Sequence, residues 1–451
     1  MGQTVKTHFA KYAVLGVLLC SCATSDPSRD REWVSGELSE RLGAGIPLSE
    51  TEPTPSTPPG LQVSDGLDID EAVAYSLWNH PDFAATVAQL GVSRAELHQA
   101  GLLRNPILAF LFPLGPKQLE ATLQVAVDVL WQRDQRIEMA QGDLFALSER
   151  LVAAGLGQAQ AARQAFVESL WSRRKTGILA QVVALEEENI ALLVRALGLG
   201  DIAEIVVDKA RVQMDLSKLD SEGAELELAH QLTVLREALG GDIEPAATDL
   251  VEMEDLIFMT SAPVEDLCQR ALAARPDLRA IEFELESGIA RAGLAAKSIP
   301  TLELIVDANG EGTEGFEIGP GVWVELPIFD TGGARVDIAE SQLLVIIARR
   351  RALERRICED VKRLYADYTN RLTYLTRAQR EFETGTKVIM ESLVKQRRLG
   401  DINELEVVAY QRLLLAQKLK LAEWRYRVQN AHISLEAAVG AKLSPKLETK
   451  K

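Results

Sequence analysis

From residue 67 onward the hydrophobic and polar positions run through one programme twice. A short helical stretch ends before a proline, where the residue ahead of the ring is pushed out of helical dihedrals. Pro81 and Pro276 then open a second helix, and Asp82 and Asp277 suit its positive N-terminal end. After Pro106 and Pro300 the period changes to two. Leu119, Ala121, Leu123, Val125, Val127 and Val129 alternate with Gln118, Glu120, Thr122, Gln124, Ala126 and Asp128. In the second copy Leu302, Leu304 and Val306 alternate with Thr301, Glu303, Ile305 and Asp307. Ile318, Pro320, Val322, Val324 and Leu326 then oppose Glu317, Gly319, Gly321, Trp323 and Glu325. Such stretches predict strands with one apolar and one polar wall. Residues 107–112, apolar throughout, are a less clear partner. Turn formers at Pro113-Leu114-Gly115-Pro116 and Asn309-Gly310-Glu311-Gly312 make two hairpins, about 105–130 and about 301–327.

The remainder predicts long helices. Between Gly333 and Leu399 apolar residues recur by steps of three, four or seven, from Val336, Ala339 and Leu343 to Ile389 and Leu393. That is coiled-coil seam spacing, and at about 1.5 Å per residue the segment is roughly 100 Å long. It returns after Gly400, and the first copy reverses likewise at Gly200, giving helical hairpins at about 133–240 and about 332–440. Landmarks keep their order and spacing between copies: Pro81 and Pro276, Pro106 and Pro300, Gly200 and Gly400, Gly240 and Gly440. A duplication explains them, with a first repeat at 67–262, a second at 263–440 and a tail at 441–451. Helices of this length cannot share one globular core, so an elongated shaft is expected.

Composition narrows the classes. With 49 Lys+Arg against 66 Asp+Glu the net charge is −17, which excludes a nucleic-acid binder that needs a basic surface. Four Cys and five His fall at no metal-binding spacing, so no metal and no cofactor is expected, and no clustered Ser, His and acid suggests an enzyme. Residues 1–22 read as a secretory signal: Lys6 and Lys11, an apolar run from Tyr12 to Leu19, then Cys20-Ser21-Cys22. The ending resembles a bacterial lipobox, which implies acylation of Cys22; the alternative is an ordinary signal cut near Ala23. Residues 23–66, rich in proline, form a tether, with a short helix around Arg31–Arg41. Cys268 and Cys358 are read as buried thiols, one on a short helix and one deep in the shaft, with pairing in an oxidising periplasm as the alternative.

Beyond the signal no apolar stretch reaches 18 residues, so entry into a bilayer requires a closed β-barrel. Four strands cannot close. Two chains would give eight strands and a filled interior, whereas three give twelve and a lumen, so a cyclic trimer is the economical assembly.

Leu326-Pro327-Ile328-Phe329-Asp330-Thr331-Gly332-Gly333 before a long helix, and Leu399-Gly400-Asp401-Ile402-Asn403-Glu404-Leu405-Glu406 followed by Gln411-Arg412, resemble the TolC-like outer-membrane factor family of bacterial efflux channels. The similarity covers roughly residues 66–440; the first copy departs from it, with Leu130-Trp131-Gln132-Arg133-Asp134 where the Pro-Ile-Phe-Asp stretch would stand. The resemblance implies a mainly α protein with a small β part, forming a trimeric α-barrel and a twelve-stranded β-barrel. It implies a lipid-anchored outer-membrane location reaching into the periplasm, with a periplasmic adaptor and an inner-membrane pump as partners. By the same resemblance Leu199, Gly200, Asp201, Leu399, Gly400 and Asp401 are hairpin tips that meet the adaptor. Glu406 matches an acidic periplasmic gate position, while Ala409 stands where a second acid is expected; Tyr410 and Arg412 are possible gate contacts. Cargo is not legible, and two other readings stay open: a type I secretion exit duct and a lipid-anchored periplasmic coiled-coil scaffold.

Overall fold

The computed structural model describes residues 29–43, 45, 48, 57–59, 61, 66–112, 114, 119–241, 250–251, 262–297, 301–310, 316–399 and 404–443. The order is α1 (Arg31–Leu42), α2 (Ile69–Asn79), α3 (Pro81–Gly101), β1 (Ile107–Leu111), β2 (Leu119–Ala126), α4 (Asp128–Leu199) and α5 (Glu204–Ala238). The second half repeats it with α6 (Val264–Ala274), α7 (Pro276–Lys297), β3 (Leu302–Gly310), β4 (Phe316–Val324), α8 (Gly333–Leu399) and α9 (Glu404–Val439). The expected class, mainly helical with a small sheet, is what the chain adopts. The described chain forms two compact units, one holding residues up to 34, 86–152 and 276–355, the other 35–85, 153–275 and 356–451.

The first unit carries the sheet, in the order β1-β2-β3-β4, antiparallel throughout. Thr122 faces Asp307 and Leu123 faces Val306 across β2 and β3, so at these two positions polar meets polar and apolar meets apolar. Two junctions lead from strand to helix by different means. After β2, α4 begins at Asp128, five residues before the expected start at about 133, because Leu130-Trp131-Gln132 contains neither proline nor glycine to delay it. After β4, Pro327 blocks immediate helix and Gly332 takes φ +78°. Asp330 accepts a hydrogen bond from Gly332 N at 2.8 Å and pairs with Arg335 at 3.0 Å, which closes the turn. In the same unit α4 and α7 meet at Gly142, where an added Cβ would lie 3.0 Å from Ser287 N.

The second unit has a core of Leu67, Ala72, Tyr75, Phe166, Leu170, Leu235, Leu239, Leu250 and Ile433, drawn from both repeats. Its helices are ended by sequence. Asp68 and Glu71 form a reciprocal capping box at the start of α2, with bonds of 2.7 and 2.9 Å. At the end of α5, Gly240 N bonds Glu237 O and Gly241 N bonds Arg236 O, both at 3.0 Å. This is a Schellman pair, which requires the left-handed φ of +95° seen at Gly240. That glycine sits against Asn79 of α2, while Ser76 donates to Ala238 O at 2.6 Å and Gln158 donates to the same oxygen at 3.0 Å.

One expectation is corrected here. Cys268 and Cys358 are not separate thiols but a disulfide, because α6 lies alongside α8 with the two Cα atoms 5.2 Å apart, inside bridging range. The bond spans 90 positions of sequence. Replacing both cysteines by serine is expected to lower unfolding stability by about 2–4 kcal/mol, since a loop of that size gains much freedom when opened. Denaturant titration of the detergent-extracted protein measures this, and non-reducing peptide mapping that finds no 268–358 cross-link would refute the premise.

Candidate functional site

Two regions carry the residues singled out by sequence. The first is the reversal between α4 and α5. Gly200 N bonds Leu197 O and Asp201 N bonds Ala196 O, both at 3.0 Å, another Schellman pair with Gly200 at φ +83°. Nothing lies within 4 Å of a Cβ built on Gly200, and Leu199 is 74% exposed, so this tip presents its backbone and an apolar side chain outward. Behind it Leu193, Val207 and Ala210 are buried, with Ile202 and Leu405 packed on them. The first residues of α9 are thus held against the first repeat, and the next residue, Glu406, is exposed. Leu399 ends α8; Gly400 and Asp401 lie outside the described residues, as does Cys22.

Further along α9 the structure gives Tyr410 and Arg412 specific partners. Tyr410 is buried and its hydroxyl donates to Thr386 O of α8 at 3.5 Å. Arg412 pairs at 2.8 Å with Glu186 of α4, whose side chain is 2% exposed. A carboxylate that deep needs a partner, and no sequence pattern around Glu186 announces it. Higher in the same unit Tyr426 donates to Glu168 and stacks on Trp171 at 5.9 Å. Burial, then that hydrogen bond and the carboxylate charge, push the Tyr426 phenol up to about 12, so it stays a donor across the physiological range. Burial lowers the pKa of His432 against the opposing pull of Glu436, which keeps the imidazole neutral between α8 and α9.

The second region is the sheet. One wall carries Glu120, Thr122, Gln124, Glu303, Asp307, Asn309, Glu317 and Trp323 by register. Thr122 donates to Asp307 at 2.9 Å and Asn309 donates to its other carboxylate oxygen at 3.0 Å. The opposite wall is apolar and uncovered: Ile318 is 71% exposed, Val322 61%, and Leu304, Val306 and Phe110 also face outward. β1 and β4 pair on one side each among the described residues. No described helix is long and apolar enough to cross a membrane. An antiparallel sheet that is greasy on one wall and open at both margins among the described residues has the pattern of a membrane-barrel sector.

Solved structures place this fold among bacterial outer-membrane channels. CusC, whose structures concern folding and transmembrane channel formation, matches with a TM-score of 0.67 at 16% identity, over 88% of this chain and 99% of that one. VceC of Vibrio cholerae matches with a TM-score of 0.66 at 16% identity, over 83% and 97%. In sequence, residues 267–441 match the model of the outer membrane efflux protein family. The cation efflux system protein CusC of Escherichia coli K12 is 24% identical over 270 residues, 56% of this chain and 57% of its own length. The second half of the chain is thus similar to outer membrane efflux proteins, and the fold is the one seen in outer-membrane channels.

Proposed function

We propose that this chain is one third of a trimeric outer-membrane duct of a tripartite export system. It receives cargo from a periplasmic adaptor and an inner-membrane pump, and Cys22 carries the lipid that holds its N-terminus to the membrane. The observation that carries this reading is the four-stranded sheet with an uncovered apolar wall, which becomes a closed twelve-stranded barrel when three copies join. A periplasmic scaffold that never entered the bilayer would have no use for Ile318 and Val322 in the open. Leu199, Gly200 and Asp201, with Leu399, Gly400 and Asp401, are the surfaces offered to the adaptor, and Glu406 lines the periplasmic entrance.

Small cations are the cargo class this reading favours. The strands contain Glu120, Glu303, Asp307 and Glu317 on their polar wall and no Lys or Arg at all, so three copies would surround the lumen with carboxylates. Rings of acid favour cations in a pore, and the CusC relative is a cation efflux protein. In planar bilayers across a KCl gradient the reversal potential is expected on the cation-selective side. It should move toward zero when Glu303, Asp307 and Glu317 are replaced by Gln, Asn and Gln. Absence of conductance would end the duct reading; conductance with anion preference would end only the cargo assignment.

A further inference from the structure

Near its N-terminal end the first unit holds a contact that the duct reading does not use. The Arg29 guanidinium lies 4.5 Å from the ring centre of Trp33, 4.7 Å from that of Phe145 and 4.5 Å from that of Phe283. Its Nη1 donates to Glu149 Oε1 at 2.8 Å, and the Glu149 side chain is fully buried. Phe145 and Phe283 meet edge to face at 5.3 Å, close to the place where Gly142 lets α4 and α7 pack backbone to side chain. Asp30 follows at once, capping α1 through Trp33 N at 3.0 Å. A planar cation enclosed by three rings and one buried carboxylate is how proteins recognise guanidinium and methylated ammonium groups. Here the cation comes from the chain itself.

We infer that Trp33, Phe145, Glu149 and Phe283 form a guanidinium socket, and that Arg29 is its resident ligand, clasping the N-terminal segment onto α4 and α7 together. The partners lie on helices of different repeats, and each helix adjoins a strand: α4 follows β2 and α7 precedes β3. Phe145 is about five turns from the start of α4, and Phe283 about four from the end of α7. The socket is complete only when both strand-bearing helices are in place, so the clasp shuts on a correctly docked pair and then holds it. An empty socket would leave Glu149 buried without the cation it now faces, and this makes vacancy unfavourable. Arginine is required rather than lysine, because only a flat guanidinium stacks on the rings while keeping the bond to the carboxylate.

Hydrogen–deuterium exchange on the full chain in detergent tests this, with R29A, R29K and the unmodified protein side by side. In R29A, amides of residues 31–42 and of α7 around Phe283 are expected to exchange about tenfold faster. Millimolar ethylguanidinium should restore most of the protection in R29A, and ethylammonium should not. Exchange in R29A equal to that of the unmodified chain would overturn the inference, as would equal rescue by both additives, which would reduce the socket to a charge effect. Should R29A yield no folded material, R29K decides: the socket requires faster exchange in residues 31–42 there also, reversed by ethylguanidinium, and unchanged exchange sinks it.

Discussion

Replacing Gly240 by valine is expected to destabilise the protein by about 4 kcal/mol or more, because two penalties coincide there. Its φ of +95° is closed to a β-branched side chain, and a Cβ would lie 2.5 Å from Asn79 C, 2.6 Å from Asn79 O and 2.7 Å from His80 N. Those are backbone atoms at the end of α2, which no change of rotamer can move. The same substitution at Gly200 separates the two penalties. Gly200 has φ +83° but nothing within 4 Å, so valine there should cost about 1–3 kcal/mol of dihedral strain alone. Thermal unfolding and trypsin resistance of the extracted proteins compare the pair. Equal losses at both positions would mean that the close approach of α5 to α2 contributes nothing.

Val306→Arg is expected to keep the protein out of the membrane, whereas Gln124→Arg should be tolerated. Val306 lies on the uncovered apolar wall and Gln124 on the polar one, by register against Leu123 and Ile305 respectively. Arginine at mid-depth on the lipid face of a barrel costs about 2–4 kcal/mol, and the proposed trimer would multiply it. The lumen side offers that charge water and carboxylates. Fractionation of outer membranes, with unheated gel mobility to report the assembled form, gives the comparison. Insertion of V306R alongside failure of Q124R would invert the walls and with them the duct.

These two results depend on features of unequal visibility in the sequence. β2, β3 and β4 announce themselves because a strand with one apolar and one polar wall must alternate. β1, apolar at all five positions, shows no alternation, and its place follows only from pairing with β2. Glycine marks the helix reversals because a Schellman pair needs positive φ, which is why Gly200 and Gly240 were legible before their surroundings were. α4 starts ahead of the expected position near 133, because the delay that Pro327 and Gly332 impose in the second copy has no counterpart in Leu130-Trp131-Gln132.

Contacts between distant segments were the hidden part. Cys268 and Cys358 meet because two helices happen to run side by side, and nothing within either helix records that. Glu186 carries no local sign that Arg412 will reach it from the other repeat. The rings around Arg29 come from positions 33, 145 and 283, a grouping that exists only after both repeats have docked. Charge and periodicity describe what each element wants; they do not say which neighbour supplies it.

The sheet's two open margins also matter before any duct exists. Among the described residues β1 and β4 each have one margin without a strand partner, beside exposed leucine, isoleucine and phenylalanine side chains. That is the template from which strands aggregate. If the proposed trimer forms in the outer membrane, a solitary subunit on its way there is hazardous freight, which must be escorted or joined quickly by its two siblings.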